Sequence, residues 1–295
     1  MYVLILNSTN VQAGSNNTKF IYKFPSNITF EKGSQIAVSS INLYYSWFNI
    51  NASLHNNNKF SYKWFNASGT LNVTVNVTIP DGNYTVATLN EYIQSVLVTN
   101  GHYIVQTSTG KFVYHIELLT NPTYYSVQLN VYTMITSTTA TATGYTKPTT
   151  SWAFPTANTC PQVIIQSTNS FNHLIGFNAG TYPSVSSATS QTYLSTFTPT
   201  LSPVSSIIMT CSLCKQPLSI PDNMLFCFGS GNTSFGDMID IQPSALSFVN
   251  IRDGSYNQLE VTLMDQNLTP MNIRDNQLII MLTIRTLEFD SGYGN

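Results

Sequence analysis

Residues 77–97 read VTIPDGNYTVATLNEYIQSVL, and they break the pattern of everything around them. Most of the chain alternates apolar and polar residues with period two, the mark of half-buried strands. Here Pro80-Asp81-Gly82 is turn chemistry that ends a strand. Thr85 then offers a hydroxyl to a free first-turn amide. Tyr84 and Leu89 stand where a hydrophobic staple would form. Leu89, Tyr92, Ile93, Val96 and Leu97 fall on one apolar stripe at helical spacing, and Gly101 stops the run. The stretch predicts one amphipathic helix near 86–99, whose stripe must pack on a sheet.

Outward from this helix, strands are expected on both sides. On the N-terminal side they cover 2–7, 18–24, 34–46, 59–65 and 70–79. In 34–46, Ile36 and Val38 fall out of phase with Ile41, Leu43 and Tyr45, so a bulge near Ser39–Ser40 is expected. On the C-terminal side strands are expected at 102–107, 111–119, 124–133, 162–166, 206–213, 222–229, 237–241, 246–251, 257–264 and 277–288. The last is apolar on both faces, which predicts a central position. Residues 134–159 and 183–206 are Ser/Thr/Pro-rich and read as an exposed arm and a linker or long crossing. Three strands before residue 47 and at least five after 205 supply the eight of a two-sheet jelly roll. The chain therefore divides into a discontinuous jelly-roll domain, 1–46 plus 206–295, and an inserted, smaller β-rich α+β domain, 47–205. The competing division is one elaborated sandwich with the helix in a loop.

The bulk numbers exclude several classes. Hydrophobic residues make up 42% of the 295, enough for a core. Charged residues make up only 8%, against roughly 25% in a typical soluble protein. A surface built from Asn, Thr, Ser, Gln and Tyr repels itself weakly and suits an assembly, although AT-rich codon usage produces the same composition. The eleven Lys and Arg form no run, so no preformed basic patch for nucleic acid is expected. No apolar run reaches the roughly 18 residues of a membrane span. MYVLILNSTN at the start lacks a basic region and reads as a first strand rather than a signal peptide.

Candidate chemistry is sparse. Cys211 and Cys214 form a CxxC in a strand-like run, with Cys160 and Cys227 single. Neither a zinc site nor a redox motif is favoured, since no second pair and no helix start are present. His55, His102, His115 and His173 have no partner at ligand spacing. Asp237 and Asp240 follow a glycine-rich segment that lacks a phosphate-loop lysine. No catalytic, cofactor or metal residues are expected, and the protein reads as a non-enzyme. Tyr45, Trp47 and Phe48 close the densest aromatic group and mark the expected hinge or interface at the junction of the two domains.

Three stretches together carry a resemblance: QIAVSSINLYYSWFNI at 35–50, IPDGNYTVATLNEYIQ at 79–94, and LEVTLMDQNLTPMNIRDNQLIIMLTI at 259–284. With HLIGF at 173–177, they resemble the minor capsid, or penton, proteins of virophages and the Maverick/Polinton-like virus lineage. The segment 134–159 lies outside that pattern. The resemblance implies a single jelly roll forming homopentamers at the fivefold vertices of a virion. Such pentamers would be made in the host cytoplasm and would contact a double jelly-roll major capsid protein. It also implies an insertion that is free to meet a host receptor. The alternative is a carbohydrate- or receptor-binding β-sandwich spike, with Tyr and Trp platforms and with Asn and Asp as its sugar-binding groups.

Overall fold

The structure is a computed structural model and describes residues 1–286. Strand takes 40% of the residues and helix 11%, so the chain is mainly β. It divides into two compact units, Met1–Trp47 with Val204 onward, and Phe48–Pro203.

Unit 1 begins with β1 (Tyr2–Leu6), β2 (Lys19–Phe30) and β3 (Gln35–Tyr44). The chain then runs through unit 2: β4 (Lys59–Phe65), β5 (Leu71–Thr78), α1 (Val86–Thr99), β6 (Ile104–Gln106), β7 (Phe112–Val113), β8 (Ile116–Asn121), β9 (Ser126–Val131), α2 (Ser137–Thr143), β10 (Tyr145–Thr146), β11 (Gln162–Ile165), α3 (Phe171–Ile175), β12 (Gly180–Tyr182) and β13 (Gln191–Leu194). It returns to unit 1 with β14 (Ile207–Cys211), β15 (Met224–Phe228), β16 (Met238–Ile241), β17 (Val249–Asn250), β18 (Gly254–Asp265) and β19 (Ile279–Arg285).

Unit 1 holds two antiparallel sheets. One runs β1-β19-β3-β16, with β17 also pairing β3; the other runs β15-β14-β18-β2. A single core unites them. Leu4, Leu6, Ile36, Val38, Ile41, Leu43, Ile280 and Leu282 come from the first sheet. Phe20, Ile207, Met209, Leu259, Val261 and Leu263 come from the second. Alternation explains the inward set: Leu259, Val261 and Leu263 are buried while Glu260 and Thr262 between them face outward, and each full burial stabilises by roughly 1.5–3 kcal/mol. In β3 the phase slip is resolved as the sequence requires. Met281 pairs with Ser40 and Leu282 with Val38, leaving Ser39 as the extra residue. Its hydroxyl donates to the Met281 carbonyl at 3.0 Å. The strand β19 lies between β1 and β3, the central position its sequence predicts. The expected continuation through 287–288 lies outside the described residues.

Unit 2 holds a four-stranded sheet, β12-β11-β4-β5, and two three-stranded sheets, β13-β9-β8 and β10-β6-β7. The helix α1 starts where the sequence predicts. Thr85 Oγ1 accepts from the Thr88 amide at 3.2 Å, and Thr88 Oγ1 accepts from the Thr85 amide at 2.9 Å. Val86, Leu89, Ile93 and Leu97 are its buried face. The Asn90 side chain reaches β8, accepting from the Leu118 amide at 2.9 Å.

Several expectations change here. The inserted region was expected to hold one helix near 86–99, but the structure has two more, α2 and α3. Residues 137–143, STTATAT, carry β-branched residues that disfavour helix, so composition pointed to an arm. Local bonds override it. Thr136 caps the first turn, Thr141 and Thr143 bond back to the carbonyls of Ser137 and Thr139, and Gly144 ends the helix at φ 74°. The same segment buries Trp152. The expected crossing at 183–206 contains β13, which pairs with β9. The expected strand 111–119 breaks at Tyr114–His115 into β7 and β8. The strand expected from 124 starts at Ser126, because Tyr125 is left-handed at φ 48°.

Gly176 ends α3 at φ 78°, and its carbonyl accepts from the Thr196 amide at 2.8 Å. A Cβ there would run into the backbone carbonyl oxygen of Phe197. Gly176→Ala is therefore expected to destabilise by about 2 kcal/mol or more, read as a lower urea midpoint at unchanged slope. An unchanged midpoint would show that this turn yields without cost.

Candidate functional site

The aromatic group singled out from sequence straddles the boundary between the units. Tyr45 and Trp47 belong to unit 1 and Phe48 to unit 2. Trp47 is buried in the unit 1 core with Tyr45 packed against that core, their ring centroids 4.3 Å apart. Tyr45 also meets Phe235 at 5.8 Å. Its backbone is held on both sides. The Tyr45 amide donates to the Asp237 carbonyl at 2.9 Å, and the Gly236 amide donates to the Tyr45 carbonyl at 2.9 Å. Two of the three residues are thus anchors of a core rather than a free surface.

The thiols are structural in character. All four cysteines are free, and Cys160, Cys211 and Cys214 are buried. The Cys214 amide donates to the Cys211 carbonyl at 3.0 Å, closing a turn at the end of β14. A hydrogen bond between the two thiols lowers the Cys211 thiol below the ordinary range and, with burial, raises that of Cys214.

Two histidines lie in the interior of unit 2. His102 stacks on Trp64, centroids 4.9 Å apart and planes at 14°, and its Nδ1 is 2.9 Å from the Tyr62 hydroxyl. His115 stands edge-on to Trp64 at 6.2 Å. Burial pushes both down to about 4, so both are neutral near pH 7. Trp152 completes the cluster 5.6 Å from Trp64, its indole N–H donating to the Gly101 carbonyl at 2.7 Å. The arrangement fills space. Among the described residues no group of three or more His, Cys, Asp or Glu could hold a metal ion. Asp240 accepts from Asn42 at 2.8 Å across the β3–β16 pair, an ordinary sheet contact.

Two features escape sequence reading. The first is the outer face of the five-stranded sheet in unit 1. Val3 and Ile5 of β1, Ile279 of β19 and Met238 of β16 are exposed there, a group of apolar residues on two strands at or next to one edge and on β16 across the sheet. The second is a cavity of about 590 Å³ in unit 2, at the start of α1 and the β8–β9 turn. Its lining comes from Asn49, residues 83–86, 120–122 and 125–127, and Pro199, Leu201 and Ser202. No local motif links these segments. The only local signal was the Tyr124-Tyr125 pair following Pro122. Among the described residues no helix is long and apolar enough to cross a membrane.

No family model and no curated protein matches the chain. Among solved structures, the chain is similar to the mavirus penton protein, at 13% identity and a TM-score of 0.42, with 97% of this chain and 98% of that one covered. It is also similar to a chain in the cryo-EM structure of the Sputnik virophage, at 12% identity and a TM-score of 0.38, with 96% of each chain covered.

Proposed function

We propose that the protein is a structural capsid component that forms the pentameric capsomer at icosahedral fivefold vertices. Unit 1 would be a jelly roll and unit 2 an insertion between its third and fourth strands. The observation that carries this reading is the strand order of unit 1. Leaving aside the two-residue β17 and numbering the other strands of the unit one to eight in chain order, the sheets run 1-8-3-6 and 5-4-7-2. Each antiparallel pair 1–8, 2–7, 3–6 and 4–5 is present, the pairing of a rolled-up long hairpin. This order supports reading unit 1 as the jelly roll of viral capsid and lectin domains.

The resembling stretches support the choice between those two. Residues 35–50 contribute β3 and residues 259–284 contribute most of β18 and β19, and β3 pairs with β19 at the centre of the sheet. Assembly needs surface rather than a catalytic group. The apolar outer-face residues Val3, Ile5, Ile279 and Met238 are of the kind that marks protein contact. A ring closes by repeated heterologous contacts, and the sparse charge of the chain leaves little repulsion to oppose it. On this reading the flanks of the ring contact a double jelly-roll major capsid protein, and the insertion is available to a host receptor. Tyr45 and Trp47 would fix the last turn before the insertion, and Phe48 would open it.

Light scattering coupled to size exclusion tests the proposal. A species near five times the 32.7 kDa chain mass is expected, alone or once the major capsid protein is added. A stable trimer under both conditions would overturn it in favour of a spike.

A further inference from the structure

We propose that unit 2 carries a binding site for a neutral saccharide in the cavity beside the start of α1. Three properties of that cavity point to this ligand class. First, its lining contains no charged side chain. Asn, Thr, Ser, Pro, Val, Leu and Tyr make up all of it, so neither a phosphate nor a carboxylate would find a counter-charge there. Second, the lining pairs an aromatic residue with neutral hydrogen-bonding groups. Tyr125 offers flat apolar surface, while Thr85, Thr120 and Asn121 offer hydroxyls and an amide. A pyranose ring presents the complement, a C–H face and a rim of hydroxyls that both donate and accept. Third, Ser126 lines the cavity, is only 7% exposed, and its hydroxyl has no hydrogen-bond partner among the described residues. A buried hydroxyl without a partner is costly. Rotation about its Cα–Cβ bond would turn it toward the cavity, where a ligand hydroxyl would satisfy it.

The walls are braced in advance. The Asn49 side chain donates to the carbonyls of Tyr84 at 2.7 Å and Leu201 at 2.8 Å, and accepts from the Tyr84 amide at 2.8 Å. It ties the entry to α1 to the 199–202 segment. Tyr125 stands at φ 48° and is 77% exposed. A bulky residue in that conformation is a strained outlier, held here with its ring at the cavity rim. Its neighbour Tyr124 is 69% exposed and does not line the cavity, which makes it a control. The proposal deepens the receptor role given to unit 2 above, and its binding chemistry does not depend on ring formation.

The test uses the full chain and methyl glycosides of glucose, galactose, mannose and N-acetylglucosamine as probes, with the methyl glycoside of N-acetylneuraminic acid as the anionic comparison. Saturation-transfer NMR is expected to show contact with at least one neutral probe. Tyr125→Gly removes the ring and suits the backbone, and it should weaken binding roughly tenfold or more. Thr120→Trp, at an exposed rim position, should block the cavity and abolish binding, while Tyr124→Ala should leave it unchanged. Contact with none of the neutral probes, a preference for the anionic probe, or binding that survives both Tyr125→Gly and Thr120→Trp would overturn the site. The mass measurement above judges the capsid reading separately, so either can fail without the other.

Discussion

Trp64→Ala is expected to destabilise unit 2 by about 3–5 kcal/mol, read as a large fall in the urea midpoint. Trp64 is among the largest fully buried side chains. It meets Tyr62, Phe65, His102, His115 and Trp152 at ring-centroid distances between 4.9 and 6.5 Å. Truncation removes the common neighbour of all five and leaves a cavity that rigid rings cannot collapse into. Hydrogen bonding contributes little to this loss, because the buried Trp64 indole N–H has no partner among the described residues. That fact yields a sharper comparison. Trp64→Phe keeps most of the packing and removes an unsatisfied donor, so it should cost well under half as much. If Trp64→Ala and Trp64→Phe fell by the same amount, the packing account would be wrong.

Acid is expected to weaken the fold between about pH 6.5 and pH 4, through His102 and His115. Both are held at about 4 by burial, against 6.5 for an unburied histidine. Between these values the unfolded chain binds protons that the folded chain does not. Stability therefore rises with pH across this window, is fully present above about 6.5, and is lost as pH falls toward 4. Protonating His115 would place a charge beside Trp64 with no counter-charge. Protonating His102 would place a charge in the aromatic cluster and leave Nδ1 able only to donate to the Tyr62 hydroxyl. The contribution of His115 is roughly 3 kcal/mol, and that of His102 is of the same sign. Urea midpoints measured from pH 7 to pH 4 check this. His115→Phe, close in shape and uncharged at every pH, should flatten the dependence. A midpoint that fell equally steeply in that variant would assign the acid sensitivity to carboxylates instead.

Side-chain period carried much of the local structure. The alternation Val73, Val75, Val77 against Thr74, Asn76, Thr78 marked β5, and Leu259, Val261, Leu263 marked β18. In β3 the slip in phase at Ser39–Ser40 marked a bulge, since a strand can keep one face buried across such a slip only by adding a residue. Thr85 and the stripe that follows it marked α1, because cap and periodicity are both written in one short continuous run of chain. Where period failed, local hydrogen bonds had replaced it. In α2 the threonine hydroxyls bond to the helix's own carbonyls, and in α3 five residues are too few to show a stripe.

What the sequence by itself determined is therefore which residues face inward, where turns fall, and that the chain is mainly β with few charges to oppose association. Only the tertiary structure decided which strands pair. Alternation says which face of a strand is buried and nothing of its neighbour, and β1 finds β19 across the length of the chain. The same holds for the site. Asn49, Thr85, Tyr125 and Leu201 come from four separated segments, and no spacing links them. Folding alone brings them to one cavity; the Asn49 side chain ties the backbone at Tyr84 to that at Leu201, and such long-range hydrogen bonds leave no periodic trace in the sequence.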